Sequence, residues 1–335
     1  PEGVIGGGER YAWELARAMA RRVETELITF GSSTKTLQEG SLRIRIIKGY
    51  ALANGDPLSR ISPAVISAFI KADIIHCHQY HTPVCDLALI LGRLLRKKVF
   101  VTPHGGGSWS LAYHIPLGRL ATGFLHVCRY SADQHSGLCR VNRIIYGGAD
   151  VRWFSPAPGE APRTGVLFVG RLRPNKGVDV LIRAMPPDVQ LRVIGPPYDR
   201  SYIARLYQLA EGKNVEFIFD ATQEQLRALY RSSQLLVIPS LSGELLPLVL
   251  YEGMACELPV VCTEIAGIPE VVTDGVCGFL VPPGDPEALR DRIEWLLTYP
   301  RQAREMGKTG RQIVLERFTW EKVAERCIQA YTEGR

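Results

Sequence analysis

Two glutamates eight residues apart, Glu244 and Glu252, are the first side chains in this sequence that invite a chemical reading. They lie in residues 239–262, PSLSGELLPLVLYEGMACELPVVC. The preceding run, residues 235–238, has the composition of a short buried strand, and Pro239, Ser240 and Gly243 stop it. Leu246, Leu250 and Met254 then recur on one helical face until Pro259 closes the helix. This spacing predicts Glu244 in the turn above a strand and Glu252 within the following helix. Both would flank the carboxyl end of a strand, which is where open α/β sheets bind ligands. A carboxylate there accepts hydrogen bonds from sugar hydroxyls. A solvated loop glutamate and a surface helix glutamate would satisfy the same spacing, so the pair alone does not decide.

A second stretch narrows the reading. Residues 166–169 form a buried-strand pattern that runs into Gly170-Arg171-Leu172-Arg173-Pro174-Asn175-Lys176-Gly177, ahead of an apolar helix over 178–185. A strand, a basic loop containing glycine and a helix start together make an anion site, because free N–H groups and the helix dipole favour phosphate while Arg and Lys add full charge. Glutamates for hydroxyls and cations for a diphosphate describe the two ends of one ligand, a sugar nucleotide.

These motifs resemble the retaining nucleotide-sugar glycosyltransferases of glycosyltransferase family 4. The likeness is carried by GRLRPNKGVDVLIRA, the E-x(7)-E spacing of Glu244 and Glu252, and PEVVTDGVCGFLVPPGDPEAL. It extends to GGGER near the start, TPHGG at 102–106 and GGADVRWFSP at 147–156, and so covers nearly the whole chain. The resemblance implies an α/β GT-B fold, two Rossmann-like doubly wound domains facing across a cleft. It also implies roles. His104, Glu244, Arg171 and Lys176 would be catalytic, with His104 beside the transferred sugar. Gly7, Gly8, Gly170, Arg171, Lys176, Glu244, Leu248 and Glu252 would bind the donor, Glu252 holding the ribose hydroxyls. Gly105, Gly106 and Trp109 would lie on the acceptor side. Retention in this family is explained by front-face attack, with the leaving phosphate helping to take the acceptor proton. Neither a metal nor any other cofactor is expected, since Arg171 and Lys176 would stabilise the leaving diphosphate. Where the family pattern reads E-G-F-G, this chain has Glu244-Leu245-Leu246-Pro247, and Pro247 removes a backbone donor. The donor sugar is therefore not carried over. Nor is the base, because Phe219-Asp220 stands where Leu-Gly is common. Glu257 replaces a usual Gly after the helix and is expected at the surface. The alternatives are a non-catalytic sugar-nucleotide-binding protein and a sugar-nucleotide epimerase on the same architecture.

His104 follows a strand pattern at 99–102 and precedes Gly105-Gly106-Gly107, which places its ring over the ligand edge of a sheet. His76, His78 and His81 form an H-x-H-x-x-H cluster without an acidic or Cys partner at metal-site spacing, so His78 and His81 are expected to line the cleft or cap the next helix. Gly3, Gly6, Gly7 and Gly8 make a glycine loop ahead of a helix over 9–22.

The elements that would position these residues alternate. Strands are expected at 26–30, 42–47, 74–76, 99–102, 123–128 and 143–146, and then at 165–170, 189–194, 215–219, 235–238, 259–262 and 278–281, with helices between them. The expected divisions are an acceptor-side domain over 1–150, a nucleotide-sugar domain over 151–313 and a terminal helix over 314–335 returning to the first domain. Residues 150–163, rich in Pro, form the linker. The family's first strand has no counterpart here, and the recorded chain is expected to start downstream of the natural one.

With 335 residues, 46% of them apolar and 22% charged, the chain has a globular composition long enough for two cores. No apolar run reaches the length of a membrane span. Eight cysteines without C-x-x-C spacing read as free thiols in a cytoplasmic protein. The net charge of +6 is uneven: residues 1–150 hold 18 Lys and Arg against 11 Asp and Glu. This basic half, with Arg93, Arg96, Lys97 and Lys98, is a candidate for peripheral contact with anionic membrane. The expected partners are a nucleotide sugar and an acceptor that is a carbohydrate, a lipid-linked sugar or a small molecule, and no nucleic acid.

Overall fold

Apolar runs too short for helices alternate with amphipathic segments along the whole chain, and in the computed structural model nearly all of these runs become parallel strands. The structure describes residues 6–53, 56–139, 141–159 and 162–333. Gly3 lies outside the described residues, as do Asn54 and Gly55, and Glu160 and Ala161 of the expected linker. Two compact units result, one of Gly147–Thr319 and the other of the described residues up to Tyr146 together with the described residues from Trp320.

The first unit contains α1 (Gly7–Ala20), β1 (Glu26–Gly31), β2 (Lys35–Glu39), β3 (Leu42–Lys48), β4 (Tyr50–Ala51), β5 (Arg60–Ile61), α2 (Val65–Lys71), β6 (Ile74–His78), α3 (Pro83–Leu94), β7 (Lys98–Thr102), β8 (Gly123–His126), α4 (Arg129–Gln134) and β9 (Val141–Ile144). Strands β6, β7, β8 and β9 form a parallel sheet in that order, while β1 pairs parallel with β3 in a separate sheet. The antiparallel strand β2 on the other side of β3 was not expected. Its residues are mostly exposed and carry no apolar alternation, so pairing with β3 rather than burial defines it. Val65, Phe69, Ile75, Leu89, Val99 and Phe124 close the core between helices and sheet. The expected glycine loop is shorter than predicted: Gly7 and Gly8 already belong to the first turn of α1.

The second unit contains β10 (Val166–Val169), α5 (Val178–Ala184), β11 (Leu191–Ile194), α6 (Arg200–Ala210), β12 (Val215–Ile218), α7 (Gln223–Ser232), β13 (Leu235–Ile238), α8 (Leu248–Ala255), β14 (Val260–Thr263), β15 (Gly278–Val281), α9 (Pro286–Thr298) and α10 (Pro300–Arg317). Its six strands form one parallel sheet in the order β12-β11-β10-β13-β14-β15. Helices cover both faces, and so β13 and β14 are buried at every position. The winding runs outward from β10 through β11 to β12 and then reverses at β13, which makes the β10–β13 neighbourhood a topological switch point.

The expected terminal helix is two elements. Helix α10 ends at Arg317, and α11 (Trp320–Glu333) packs with the first unit, where Trp320 meets Tyr11 edge-on at 5.1 Å and Arg21 and Arg22 pair with Glu321 and Glu325. The stretch expected as a free linker packs against the second unit instead. Phe154 is buried edge-on to Tyr230, Arg231 donates to the Ser155 carbonyl, and Arg163 donates to the carbonyls of Cys256 and Glu257. The change of unit falls at Tyr146–Gly147, ahead of the predicted boundary. Among the described residues no helix is long and apolar enough to cross a membrane.

Candidate active site

In the second unit the loops leaving β10 and β13, neighbours at the switch point, are fastened to each other. The Leu241 N–H donates to the Asn175 carbonyl at 2.8 Å, and Asn175 Nδ2 donates to the Ser242 carbonyl at 3.1 Å. Gly177 allows this approach. It is left-handed at φ 67°, and a Cβ there would lie 2.0 Å from the Pro239 carbonyl oxygen. The clamp brings Lys176 Nζ onto Glu244 Oε2 in an ion pair whose side chains are only 15% and 13% exposed. Ser240 Oγ donates to the same carboxylate oxygen at 3.4 Å.

Sequence reasoning gave Lys176 to a diphosphate and Glu244 to a sugar; the fold joins the two. Arg171 points outward, exposed and without a carboxylate partner among the described residues, and Arg173 lies over the Tyr198 ring at 4.0 Å. Gly170 donates its N–H to the Ile194 carbonyl, which continues the β10–β11 pairing under the loop. Leu248 is half-buried at the start of α8, where Pro247 provides no side-chain cap. Glu252 is not on the helix surface. It is buried in α8 and accepts a hydrogen bond from Tyr230 Oη at 3.0 Å.

In the first unit the loop after β7 carries His104 into a cluster of rings. His104 Nε2 lies 3.1 Å from His78 Nδ1, with the two rings stacked at 5.4 Å and 14°. Tyr11 of α1 meets His104 edge-on at 4.7 Å, and the Cβ position of Gly8 lies 3.5 Å from the His104 side chain, so the first turn of α1 sits on this imidazole. A Cβ on Gly7 would touch nothing within 4 Å. Burial, with the nearby His78 as a second cause, holds the His104 pKa well below its ordinary value, and burial lowers that of His78 to about 4. His76 is lowered well below the ordinary value by burial and then by His78 and His104. It sits between Thr102 Oγ1 and Tyr331 Oη, each at 2.7 Å. The three imidazoles are therefore uncharged at neutral pH.

Gly105 and Gly106 are both left-handed, at φ 79° and 72°. Trp109 is 52% exposed, and Tyr113 stacks on His81 at 4.0 Å. His81 does not cap α3: Thr82 Oγ1 accepts from the Cys85 N–H, and Pro83 opens the helix. Among the described residues no group of three His, Cys, Asp or Glu is arranged to hold a metal.

The model of glycosyltransferase family 4 matches residues 5–153, and that of the glycosyl transferases group 1 matches 155–313. The chain is 32% identical over 288 residues to the GDP-mannose-dependent alpha-(1-6)-phosphatidylinositol monomannoside mannosyltransferase of Mycolicibacterium smegmatis, covering 76% of this chain and 75% of that protein. It belongs to glycosyltransferase family 4. The D-inositol 3-phosphate glycosyltransferase of Segniliparus rotundus is 33% identical over 208 residues, 56% of this chain and 46% of that protein, so this family-4 chain spans about half the length of some curated relatives. Among solved structures, Anabaena HepE in complex with UDP and glucose superposes with a TM-score of 0.77 over 99% of this chain and 97% of that one, at 20% identity. That likeness bears on the fold, which is GT-B.

Several residues of the candidate site in each unit escaped sequence reasoning. Gln79, Asn175, Tyr230 and Tyr11 are polar or aromatic residues whose partners lie 22 to 135 positions away in sequence. Only Asn175, inside the basic loop, carried a local signal.

Proposed function

We propose that this chain transfers a sugar from a nucleoside diphosphate donor to an acceptor hydroxyl, with retention at the anomeric carbon and without a metal. The observation that carries the reading is the Lys176–Glu244 pair, held between clamped loops at the switch point of a parallel sheet, with Arg171 exposed earlier in the loop that carries Lys176. A lysine fixed by a carboxylate, with an exposed arginine on the same loop, offers a diphosphate two cations, and their attraction grows as the sugar–phosphate bond breaks and charge collects on the leaving group. Glu244, which orients the lysine, is also an acceptor for a sugar hydroxyl. His104, neutral and aimed by its neighbours, is assigned a hydroxyl of the sugar being transferred, and Trp109 with Gly105 and Gly106 is assigned the acceptor. Relatives named for GDP-mannose and for UDP with glucose support a nucleotide-sugar donor.

The test is a thermal-shift screen with UDP-, GDP- and ADP-sugars, followed by turnover of the donor that binds and NMR of the product anomer. A stabilising donor, an anomer that keeps its configuration and activity unchanged by EDTA are expected. Inversion would remove the retaining assignment. Conversion of the donor to an epimer without acceptor would replace transfer with epimerisation, and binding without turnover would leave a sugar-nucleotide-binding protein.

A further inference from the structure

The two residues that follow Cys77 both act on one target. His78 holds the His104 ring from the side, Nδ1 to Nε2 at 3.1 Å with the rings stacked at 14°. Gln79 holds the His104 backbone at two points: its Oε1 accepts the His104 N–H at 2.9 Å, and its Nε2 donates to the Gly105 carbonyl at 2.6 Å. Gln79 is buried, and its own backbone is left-handed at φ 90°, a region that a glutamine occupies only under strain. Its N–H extends the β6–β7 pairing by donating to the Thr102 carbonyl at 2.9 Å. Strain of this kind persists only where the surroundings impose it, and here they aim a side-chain amide at the loop that carries His104.

We infer that His78 and Gln79 are positioning residues for His104: Gln79 fixes where the His104–Gly105 loop stands, and His78 fixes the imidazole and the nitrogen it presents. One proton lies between His78 Nδ1 and His104 Nε2, so His104 offers Nδ1 to a ligand, and whichever partner holds the proton decides whether that Nδ1 donates or accepts. Among the described residues His104 Nδ1 has no hydrogen-bond partner. His76, tilted against the His78 ring at 4.5 Å and 31° and held by Thr102 and Tyr331, keeps the His78 ring from turning away. The inference rests on the assignment of His104 to the transferred sugar, and the experiment separates the two.

The ring ¹⁵N resonances of His104 are compared in the native chain, in His78→Phe, which keeps the stack but loses the hydrogen bond, and in His78→Asn, whose amide can replace Nδ1. A single tautomer is expected in the native protein, a mixture in His78→Phe and recovery in His78→Asn. Identical His104 resonances in all three overturn the role of His78. Turnover of GDP-mannose and UDP-glucose is then followed. His78→Phe and Gln79→Leu are expected to lower kcat about 10- to 100-fold, the scale of a misplaced reacting group, with KM changing less than about 3-fold. His78→Asn should recover most of the loss. If His104→Ala abolishes turnover while both positioning variants retain it, positioning fails and the role of His104 stands. If His104→Ala is itself active, that role fails and the inference falls with it. Should Gln79→Leu not fold, Gln79→Glu keeps the acceptor for the His104 N–H and loses the donor to Gly105, and full activity in that variant overturns the clamp.

Discussion

The two units share a parallel α/β design yet build their candidate sites from opposite materials. In the second unit a continuous six-stranded sheet supports two loops joined by backbone hydrogen bonds and closed by a Lys–Glu ion pair. In the first the strands form separate sheets, and the candidate site is a cluster of uncharged rings, with His104 stacked on His78 and edge-on to Tyr11. The difference matches what each half is proposed to meet. Charge fixed on strand-end loops suits a diphosphate, whose binding is electrostatic. Neutral imidazoles with one nitrogen engaged suit hydroxyls, where direction matters more than charge. Each unit should therefore fail in its own way.

The sharpest break is Lys176→Ala. It removes the cation assigned to the diphosphate and strands the Glu244 carboxylate, which is 13% exposed. Turnover is expected to drop by about 10³-fold or more, and the second unit to lose on the order of 3 kcal/mol, the usual cost of breaking a buried pair from one side. Adding Glu244→Gln should restore most of the stability and none of the turnover, measured by denaturant unfolding and donor consumption. Recovery of both would reduce the pair to a structural contact.

Gly177→Ala tests the clamp beneath that pair. The added Cβ would lie 2.0 Å from a backbone carbonyl that cannot move aside, at a φ that alanine disfavours. A loss of about 2–4 kcal/mol confined to the second unit is expected, with weaker UDP or GDP binding by calorimetry. Unchanged nucleotide affinity would show that the loops do not need each other.

Acidification should break the first unit and spare the second. All seven histidines lie in the first unit. His78 and His126 are held at about 4 by burial, and His76 and His104 are lowered in the same direction. The fold thus keeps neutral forms, and below pH 6.5 the unfolded chain binds the additional protons. Stability from these groups is complete above pH 6.5 and declines toward pH 4, by about 1.4 kcal/mol per pH unit for each fully buried histidine. Hydrogen exchange at pH 7, 6 and 5 should show protection lost in β6, β7 and β8 before β10 and β13. Simultaneous loss in both units would contradict the assignment.

What the sequence made legible follows the same division. In the second unit every strand was recoverable, most plainly β10, β13 and β14, whose buried parallel course makes them uninterrupted apolar runs, and Lys176 and Glu244 stood out as charges at strand ends. That they pair was not legible, since the clamp depends on an Asn175 side chain and a backbone contact 66 residues away. In the first unit β2 escaped because its exposed Lys-Thr-Leu-Gln-Glu carries no pattern until β3 lies beside it. The histidines were visible as residue types, but their stacking and the grip of Gln79 arise only when β6 and β7 align. The Pro-rich stretch after Asp150 looked like a linker because proline and glycine signal irregular backbone, and irregular backbone can still pack, as buried Phe154 does.

Glu257 offers the gentlest test, at the end of the helix that carries Glu252. Helix α8 closes in a Schellman motif: the Leu258 N–H returns to the Gly253 carbonyl and the Glu257 N–H to the Met254 carbonyl, each at 3.0 Å. Glu257 occupies the left-handed position of that motif at φ 60°, where glycine is favoured, and it is half-buried rather than on the surface as expected. Arg163 donates to its carbonyl at 2.7 Å, which any residue would accept, while its carboxylate reaches Arg311 only at 4.0 Å. Glu257→Gly therefore removes about 1–2 kcal/mol of left-handed strain against about 0.5–1 kcal/mol of added chain entropy in the unfolded state. A rise in Tm of roughly 1–4 °C is expected, with unfolding of the first unit unaltered. A fall would mean that the distant Arg311 contact, rather than backbone geometry, secures the end of α8, and the second unit would then depend on charge at its helix ends as well as in its loops.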